Sequence, residues 1–239
     1  MILTRQRRAT AVGASATAVA LLLSGCGSSL GIHPGAAATV GDRTVSMSKI
    51  DDDTTLYCKA YVTSSRQSQQ SQSGPIPLGL FRSYVASSLA NRLLGQELAD
   101  QYAVQPASGY QQQVSQIQQA LSSAPDDQRQ AVIDVAASDA FLQNVQVAIG
   151  QQLTGNTGST NDDLKAALQR GQVATQEWLA HHSFDVDPVL GVTLQDGQVT
   201  VVRDQTSVPV SPLAVAGAKS GGQPDASYTS ALTPSQLCG

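Results

Sequence analysis

Charged and aromatic side chains are scarce in this chain of 239 residues. Only 13% of the residues are charged and 4% are aromatic, and the formal net charge at pH 7 is −4. Because contacts to a phosphate backbone depend on clustered Lys and Arg, a mildly acidic chain without a basic run is not expected to bind nucleic acid. The same balance argues against electrostatic docking on anionic lipid.

Sequence motifs that carry catalysis are also missing. The chain contains no GxSxG, CxxC or HExxH motif and no glycine-rich phosphate loop. We therefore predict that the protein is not an enzyme and has no cofactor and no metal site, although a triad assembled in space escapes a linear search. His181 and His182 lie near Asp185 and Asp187, but a helix end that favours cations explains the two histidines more simply than a metal does.

Cysteine is rare, and the first of the three cysteines ends an apolar segment near the N-terminus. Three arginines precede an apolar run of small residues from Ala9 to Leu23, which is the layout of a secretory signal. The tetrapeptide LSGC that ends at Cys26 resembles a bacterial lipobox. That resemblance implies cleavage before Cys26, a diacylglycerol carried by the Cys26 thiol, modification with palmitate, and anchoring on the extracytoplasmic side of the cell membrane. The alternative is an ordinary signal peptide with a chance cysteine.

Cys58 and Cys238 remain as an even pair if Cys26 carries the lipid. Outside the cytoplasm such a pair is expected to oxidise, and the spacing of the two cysteines matches no metal motif. We predict a disulfide between them that ties the end of the chain to its first helix. Two unpaired thiols are the alternative.

Apolar periodicity predicts a mainly α fold with about five helices. The expected helices begin at Ser48, near Leu80, at Ser108, at Pro125 (running to about Gln151) and at Asn161 (running to about His182). Alternating residues around Asp196-Gly197 predict a late hairpin over 192–202, and a short N-terminal hairpin is expected around Val40 and Val45. We expect these two hairpins to form one small β-sheet.

Composition divides the chain into four parts. Residues 1–25 are expected to be a lipoprotein signal peptide, and residues 26–37 a flexible tether. Residues 38–211 are expected to form the helical domain with its small sheet. Residues 212–239 are a polar tail, expected to lack regular structure over much of its length.

The order of elements resembles the N-terminal, chaperone domain of SurA-type and PrsA-type foldases. The matching residues are the hairpin VGDRTVS at Val40–Ser46, the helix that follows it from Ser48, and the segment FDVDPVLG at Phe184–Gly191. The resemblance covers roughly Ala38 to Ser211 and implies binding of unfolded polypeptides. Those foldases insert a parvulin isomerase domain, whereas predicted helices occupy this chain from Ser48 to His182, so isomerase activity is not implied here.

These observations together predict a membrane-anchored, extracytoplasmic chaperone-like protein that binds unfolded or cell-envelope polypeptides. The broad apolar face of the second helix predicts a binding cradle at Phe81, Tyr84 and Val85; the alternative is that these three residues are simply core. Two other functions stay open. One is a structural or interaction lipoprotein of a cell-envelope complex, and the other is a small-ligand-binding lipoprotein, which would need a large two-lobed α/β body.

Overall fold

Helices make up most of the chain that the structure describes. The computed structural model describes residues 35–67, 74–202, 210–219 and 226–239, so Cys26 and the predicted signal peptide lie outside the described residues. Eight α-helices lie within these ranges: α1 (Met47–Gln67), α2 (Leu78–Tyr102), α3 (Ser108–Ala120), α4 (Asp126–Ala136), α5 (Ser138–Thr154), α6 (Asn161–Leu179), α7 (Pro212–Lys219) and α8 (Ala226–Ser230). The mainly helical class is confirmed, with more helices than the five expected.

The expected fourth helix, over 125–151, is two helices that meet at Ala137. Ala137 has φ −94° and ψ 0°, and the backbone N–H of Phe141 still donates to the Ala137 carbonyl at 2.8 Å. The Ser138 hydroxyl donates to the carbonyl of Asp134, one turn earlier, a contact that bends helices. Because the apolar pattern runs through this bend without interruption, the sequence predicts one helix where the structure has α4 and α5.

The starts of α1 and α6 are set by side-chain caps. The Ser46 hydroxyl accepts from the Lys49 N–H at 3.1 Å, so α1 begins slightly before the expected Ser48. At α6, Thr160 and Asp163 form a reciprocal capping box. The hydrogen bond from the Thr160 hydroxyl holds the pKa of Asp163 below its usual range.

The N-terminal hairpin does not pair with the late hairpin, contrary to the expectation. Strands β1 (Ala36–Val40) and β2 (Arg43–Ser46) join β4 (Phe184–Val186) in an antiparallel sheet of order β2-β1-β4. The late hairpin, β5 (Val192–Gln195) and β6 (Gln198–Val201), forms a separate two-stranded sheet. Just after α6 the chain forms β4, which pairs with β1. A strand of three residues shows too little alternation for the sequence to reveal this pairing.

Two polar side chains of α2, Asn91 and Ser87, hold the late hairpin. The Asn91 amide accepts from the Val199 N–H at 2.7 Å and donates to the Val199 carbonyl at 3.1 Å, while the Ser87 hydroxyl donates to the same carbonyl at 2.5 Å. These side chains give the buried backbone of β6 the partners that a neighbouring strand would supply. The hairpin turn has positive φ at both Asp196 and Gly197, as its sequence predicts.

The polar tail contains regular structure in its described residues, which differs from the expectation. Besides α7 and α8, it has strand β7 (Leu237–Cys238), which pairs with β3 (Ile76–Pro77) just before α2. Cys238 is bonded to Cys58 of α1, with the two Cα atoms 5.7 Å apart. The predicted disulfide is thus present, and it joins the end of the chain to α1.

Helix α2 lies at the centre of the core and is contacted on two sides. One side packs with α1, α4 and the sheets around Val85, and the other packs with α5 and α6 around Leu94 and Leu98. Helices α5 and α6 approach so closely that a Cβ added at Gly150 would lie 1.8 Å from the Ala167 carbonyl oxygen. The broad apolar face of α2 therefore reflects burial between two layers of helices.

Candidate functional site

The three residues of the expected cradle are not equally accessible. Phe81 is 8% exposed and Val85 is 0% exposed, so both side chains belong to the core, as the alternative interpretation had it. Tyr84 is 36% exposed and is the one member that an incoming chain can touch without rearrangement.

Phe81 and Tyr84 belong to an aromatic cluster that joins α1 to α2. The ring of Tyr57 lies 5.8 Å, centroid to centroid, from both Phe81 and Tyr84, and Tyr61 lies 5.3 Å from Phe81. All three pairs are tilted or edge-on, which are the arrangements that the ring quadrupoles favour. The cluster fixes Tyr57 and Tyr61 on the outer side of the α1–α2 contact.

These two tyrosines line an apolar groove between α1, α3 and α4. The groove has a volume of about 220 Å³. Its lining, which we call the α3 groove, is formed by Tyr57, Ala60, Tyr61, Ser64, Ile117, Ala120, Leu121 and Val132. Helix α1 supplies the aromatic side, α3 and α4 supply the aliphatic side, and the lining includes no charged residue.

The electrostatics of the α3 groove favour apolar contacts. Burial raises the pKa of the Tyr57 phenol above its usual range, and the neighbouring Tyr84 raises it further. Tyr57 is neutral at physiological pH, as an unperturbed phenol also is. A side chain that enters the groove meets aromatic rings and methyl groups, with hydroxyl groups as the polar atoms of the lining.

A second set of exposed apolar side chains lies on α2 and around the late hairpin. We call it the exposed strip; its members are Leu80 (38% exposed), Tyr84 (36%), Val189 (68%), Val201 (47%) and Val202 (37%). The late hairpin and α2 come close at Gly191. A Cβ added there would lie 3.4 Å from the Val202 carbonyl oxygen and 3.6 Å from the Ser83 hydroxyl of α2. Tyr84 contacts Tyr57, so the strip and the α3 groove share one aromatic boundary.

Two larger clefts have polar features instead. One, of about 590 Å³, lies beside the start of α2 and contains the Arg82–Asp51 ion pair, whose Nε and Oδ1 atoms are 2.7 Å apart. The other, of about 570 Å³, contains Arg43, which pairs with Asp100. The charges that line these clefts already have partners, and neither cleft offers the continuous apolar lining of the α3 groove.

Four charged residues between α1, α2 and α4 form an ion network. Lys49 Nζ lies 2.6 Å from both carboxylate oxygens of Asp53 and 3.9 Å from Asp134, which is 3.7 Å from Arg92. Asp53 is 3% exposed, and burial raises its pKa although Lys49 opposes the shift. This network ties three helices together.

The histidines that end α6 have a local explanation. His182 stacks on Trp178 at 4.0 Å with nearly parallel rings, and its Nδ1 lies 2.8 Å from the Trp178 carbonyl oxygen. Over residues 35–67, 74–202, 210–219 and 226–239, no cluster of three or more His, Cys, Asp or Glu residues could hold a metal ion.

Comparisons with protein-family models, curated proteins and solved structures find no match for this chain. The resemblance to SurA-type foldases therefore stays a prediction. In the part of the chain that the structure describes, no helix is both long and apolar enough to span a membrane.

The sequence contained partial signals for the groove. Tyr57 and Tyr61 follow at helical spacing on α1, and Ile117 and Leu121 belong to a narrow apolar stripe on α3. Periodicity identifies such stripes but does not say which pair of stripes leaves a gap between them. The groove could therefore be identified only from the packing of α1, α3 and α4 in the structure.

Proposed function

We propose that this protein is a membrane-anchored, extracytoplasmic polypeptide-binding protein that holds apolar segments of unfolded or cell-envelope proteins. The observation that carries the proposal is the α3 groove, whose aromatic and aliphatic lining has no charged residue and whose Tyr57 contacts the half-exposed Tyr84. An apolar surface of this kind fits the side chains of an unfolded segment better than it fits a charged ligand. The order of elements, which resembles the N-terminal domain of SurA-type foldases, supports the same function.

Binding at the α3 groove is expected to be weak and reversible. Each aliphatic side chain taken out of water contributes roughly 1.5–3 kcal/mol before ordering costs are subtracted. Two such side chains give about 3–6 kcal/mol, so the groove alone binds no more tightly than about tens of micromolar. Such contacts form and break without ATP, which suits a holding function outside the cytoplasm.

The anchor is proposed from the LSGC segment that ends at Cys26. Acyl chains on Cys26 would hold the protein on the membrane, because each buried methylene contributes about 0.8 kcal/mol and more than one chain gives stable binding. We propose no isomerase activity, since the chain has no segment that resembles a parvulin domain.

A holding assay with a matched pair of variants tests the proposal. A soluble form that starts after Cys26 is expected to slow aggregation of unfolded client proteins at stoichiometric amounts, without ATP and without accelerating proline-limited refolding. Val132→Ser places a polar group in the α3 groove and should reduce holding severalfold. Val173→Ser is the control, since Val173 is 43% exposed on α6 and outside the groove.

Circular dichroism should show that both variants keep the helical fold. If wild-type protein leaves the aggregation of several unrelated clients unchanged, the holding function is wrong. If Val132→Ser and Val173→Ser hold clients equally well, clients bind elsewhere and the groove assignment is wrong.

The exposed strip favours a second candidate, a fixed interface with one partner in a cell-envelope complex. Val189 and Val201 are the most exposed members of the strip, at 68% and 47%, and exposed apolar side chains are what a contact surface offers. This candidate predicts that Val189→Ser with Val201→Ser abolishes capture of one specific envelope protein from solubilised membranes. General holding in the aggregation assay would then be absent.

A further inference from the structure

Helix α3 forms one wall of its groove and buries less of its surface than α4 does. None of its 13 residues is buried, whereas α4 buries Ala131, Ile133 and Val135. The residue before α3, Ala107, offers no side-chain cap, as is also true of α4 and α5, and its backbone N–H donates to the Asn144 carbonyl at 3.1 Å. Segments with little buried apolar surface open at low free-energy cost, so α3 is a candidate for local displacement.

The contacts of α3 follow one apolar stripe. The stripe consists of Tyr110, Val114, Ile117 and Leu121, spaced as in a helix that lies in a groove. Near its start, Tyr110 packs edge-on against Phe141 of α5, with ring centroids 5.1 Å apart. At the other end, Ile117 and Leu121 face the aromatic side of the α3 groove.

The opposite face of α3 is polar and uncharged. The helix, SGYQQQVSQIQQA, contains no Asp, Glu, Lys or Arg and carries six glutamines. Helix α3 is thus an uncharged amphipathic helix, and Arg129 of α4 donates to the carbonyl oxygens of Leu121 and Ser122 at its end, both at 3.4 Å.

The space left beside α3 is too small for a polypeptide segment. Pockets that enclose a drug-sized ligand have volumes of roughly 300–1,000 Å³, and the gap that remains in the α3 groove is about 220 Å³. A client that places several side chains on Tyr57, Tyr61 and Val132 therefore needs α3 to move. On the N-terminal side, residues 103–107 connect α2 to α3, and displacement has to break the 3.1 Å hydrogen bond from the Ala107 N–H to the Asn144 carbonyl of α5.

We propose that α3 is a built-in occupant of its groove, and that the partner is an uncharged amphipathic helical segment that replaces it. The inference rests on the proposed function and adds the form of the partner: a helix with apolar residues at the spacing of the α3 stripe and a neutral polar face. Displacement of α3 exposes the aromatic side of the groove, and the incoming helix covers it.

A peptide with the α3 sequence is the probe for this proposal. The fluorescently labelled peptide 108–121 is titrated into the full chain in detergent, and binding is followed by anisotropy. The variant Ile117→Gln with Leu121→Gln weakens the docking of α3 in cis and should bind the peptide at least tenfold more tightly than wild type. Leu164→Gln, at a residue 36% exposed on α6, should bind it like wild type. A peptide of the same composition with the apolar residues redistributed should not bind.

Equal affinity of the double variant and wild type, or no binding to a double variant that is still folded, overturns the proposal. If the double variant unfolds, hydrogen exchange of wild type decides: the peptide should accelerate exchange of the α3 amides, and unchanged or slower exchange overturns the proposal. If wild type still holds clients while the peptide tests fail, the displacement of α3 is wrong and the proposed function stands. If wild type does not hold clients, the proposed function itself is wrong.

Discussion

The contact between α5 and α6 yields the sharpest stability prediction. These helices meet at two glycines: a Cβ on Gly150 would lie 1.8 Å from the Ala167 carbonyl oxygen, and one on Gly171 would lie 1.9 Å from the Gln146 carbonyl oxygen. Both obstacles are backbone atoms, which no side-chain rotation removes. Gly150→Ala should therefore push the two helices apart.

The size of the effect follows from these distances. Carbon and oxygen atoms reach ordinary contact at about 3.5 Å, so α5 and α6 must separate by roughly 1.5–2 Å. Overpacking of this kind costs about 1–3 kcal/mol, occasionally more, and alanine in a helix returns up to about 1 kcal/mol. The separation also stretches the buried bond from the Gln146 amide to the Thr175 hydroxyl, now 3.1 Å long. We expect a net loss of about 2 kcal/mol, or about 4–8 °C in Tm.

Thermal and urea unfolding of matched variants measure this loss. Gly79→Ala is the control, because Gly79 lies in the first turn of α2 and its added Cβ would meet nothing within 4 Å. This control should be as stable as wild type or more stable by up to about 1 kcal/mol. If Gly150→Ala is at least as stable as wild type, the close contact between α5 and α6 does not exist as described.

Three further predictions concern the anchor, the disulfide and a buried carboxylate. Cys26→Ser should release the protein from the membrane fraction or leave an uncleaved precursor, and mass spectrometry that finds unmodified Cys26 in membrane-bound protein refutes the anchor. Cys58→Ser should lower the free energy of unfolding by at most about 5 kcal/mol in the chain-entropy model, whereas free thiols at both Cys58 and Cys238 in unreduced, denatured wild type refute the bond. Burial raises the pKa of Asp53, so its contribution to stability is present at low pH and is lost as pH rises through the raised value. Urea unfolding from pH 7 to pH 4 should show wild type gaining stability relative to Asp53→Asn, and a pH-independent difference between the two refutes this shift.

Local sequence patterns predicted most of the helices but not their three-dimensional partners. The apolar stripes of α2 and α6 and the turn at Asp196-Gly197 are local signals, and they were confirmed. The pairing of β1 with β4 is a contact between residues far apart in sequence, and a strand as short as Phe184–Val186 carries almost no alternation. The bend at Ala137 was missed because the apolar period runs through it without interruption.

The candidate site was predictable in character and only partly in position. The wide face of α2 predicted a binding cradle, but a central core helix shows the same wide face, and Phe81 and Val85 are core. The groove instead uses the tyrosines that flank them in space and the stripe of α3. Whether an apolar stripe is buried or left beside a gap depends on how far apart its neighbours lie, which periodicity does not record.

Site-specific photo-crosslinking in cells tests directly whether other polypeptides bind at the α3 groove. A photoreactive phenylalanine analogue replaces Tyr61 in the α3 groove and, in a separate strain, Val173 on the exposed face of α6. We expect covalent adducts with other polypeptides from position 61 and few or none from position 173. Adducts from position 173 alone, or equal adducts from both positions, contradict polypeptide binding at the α3 groove.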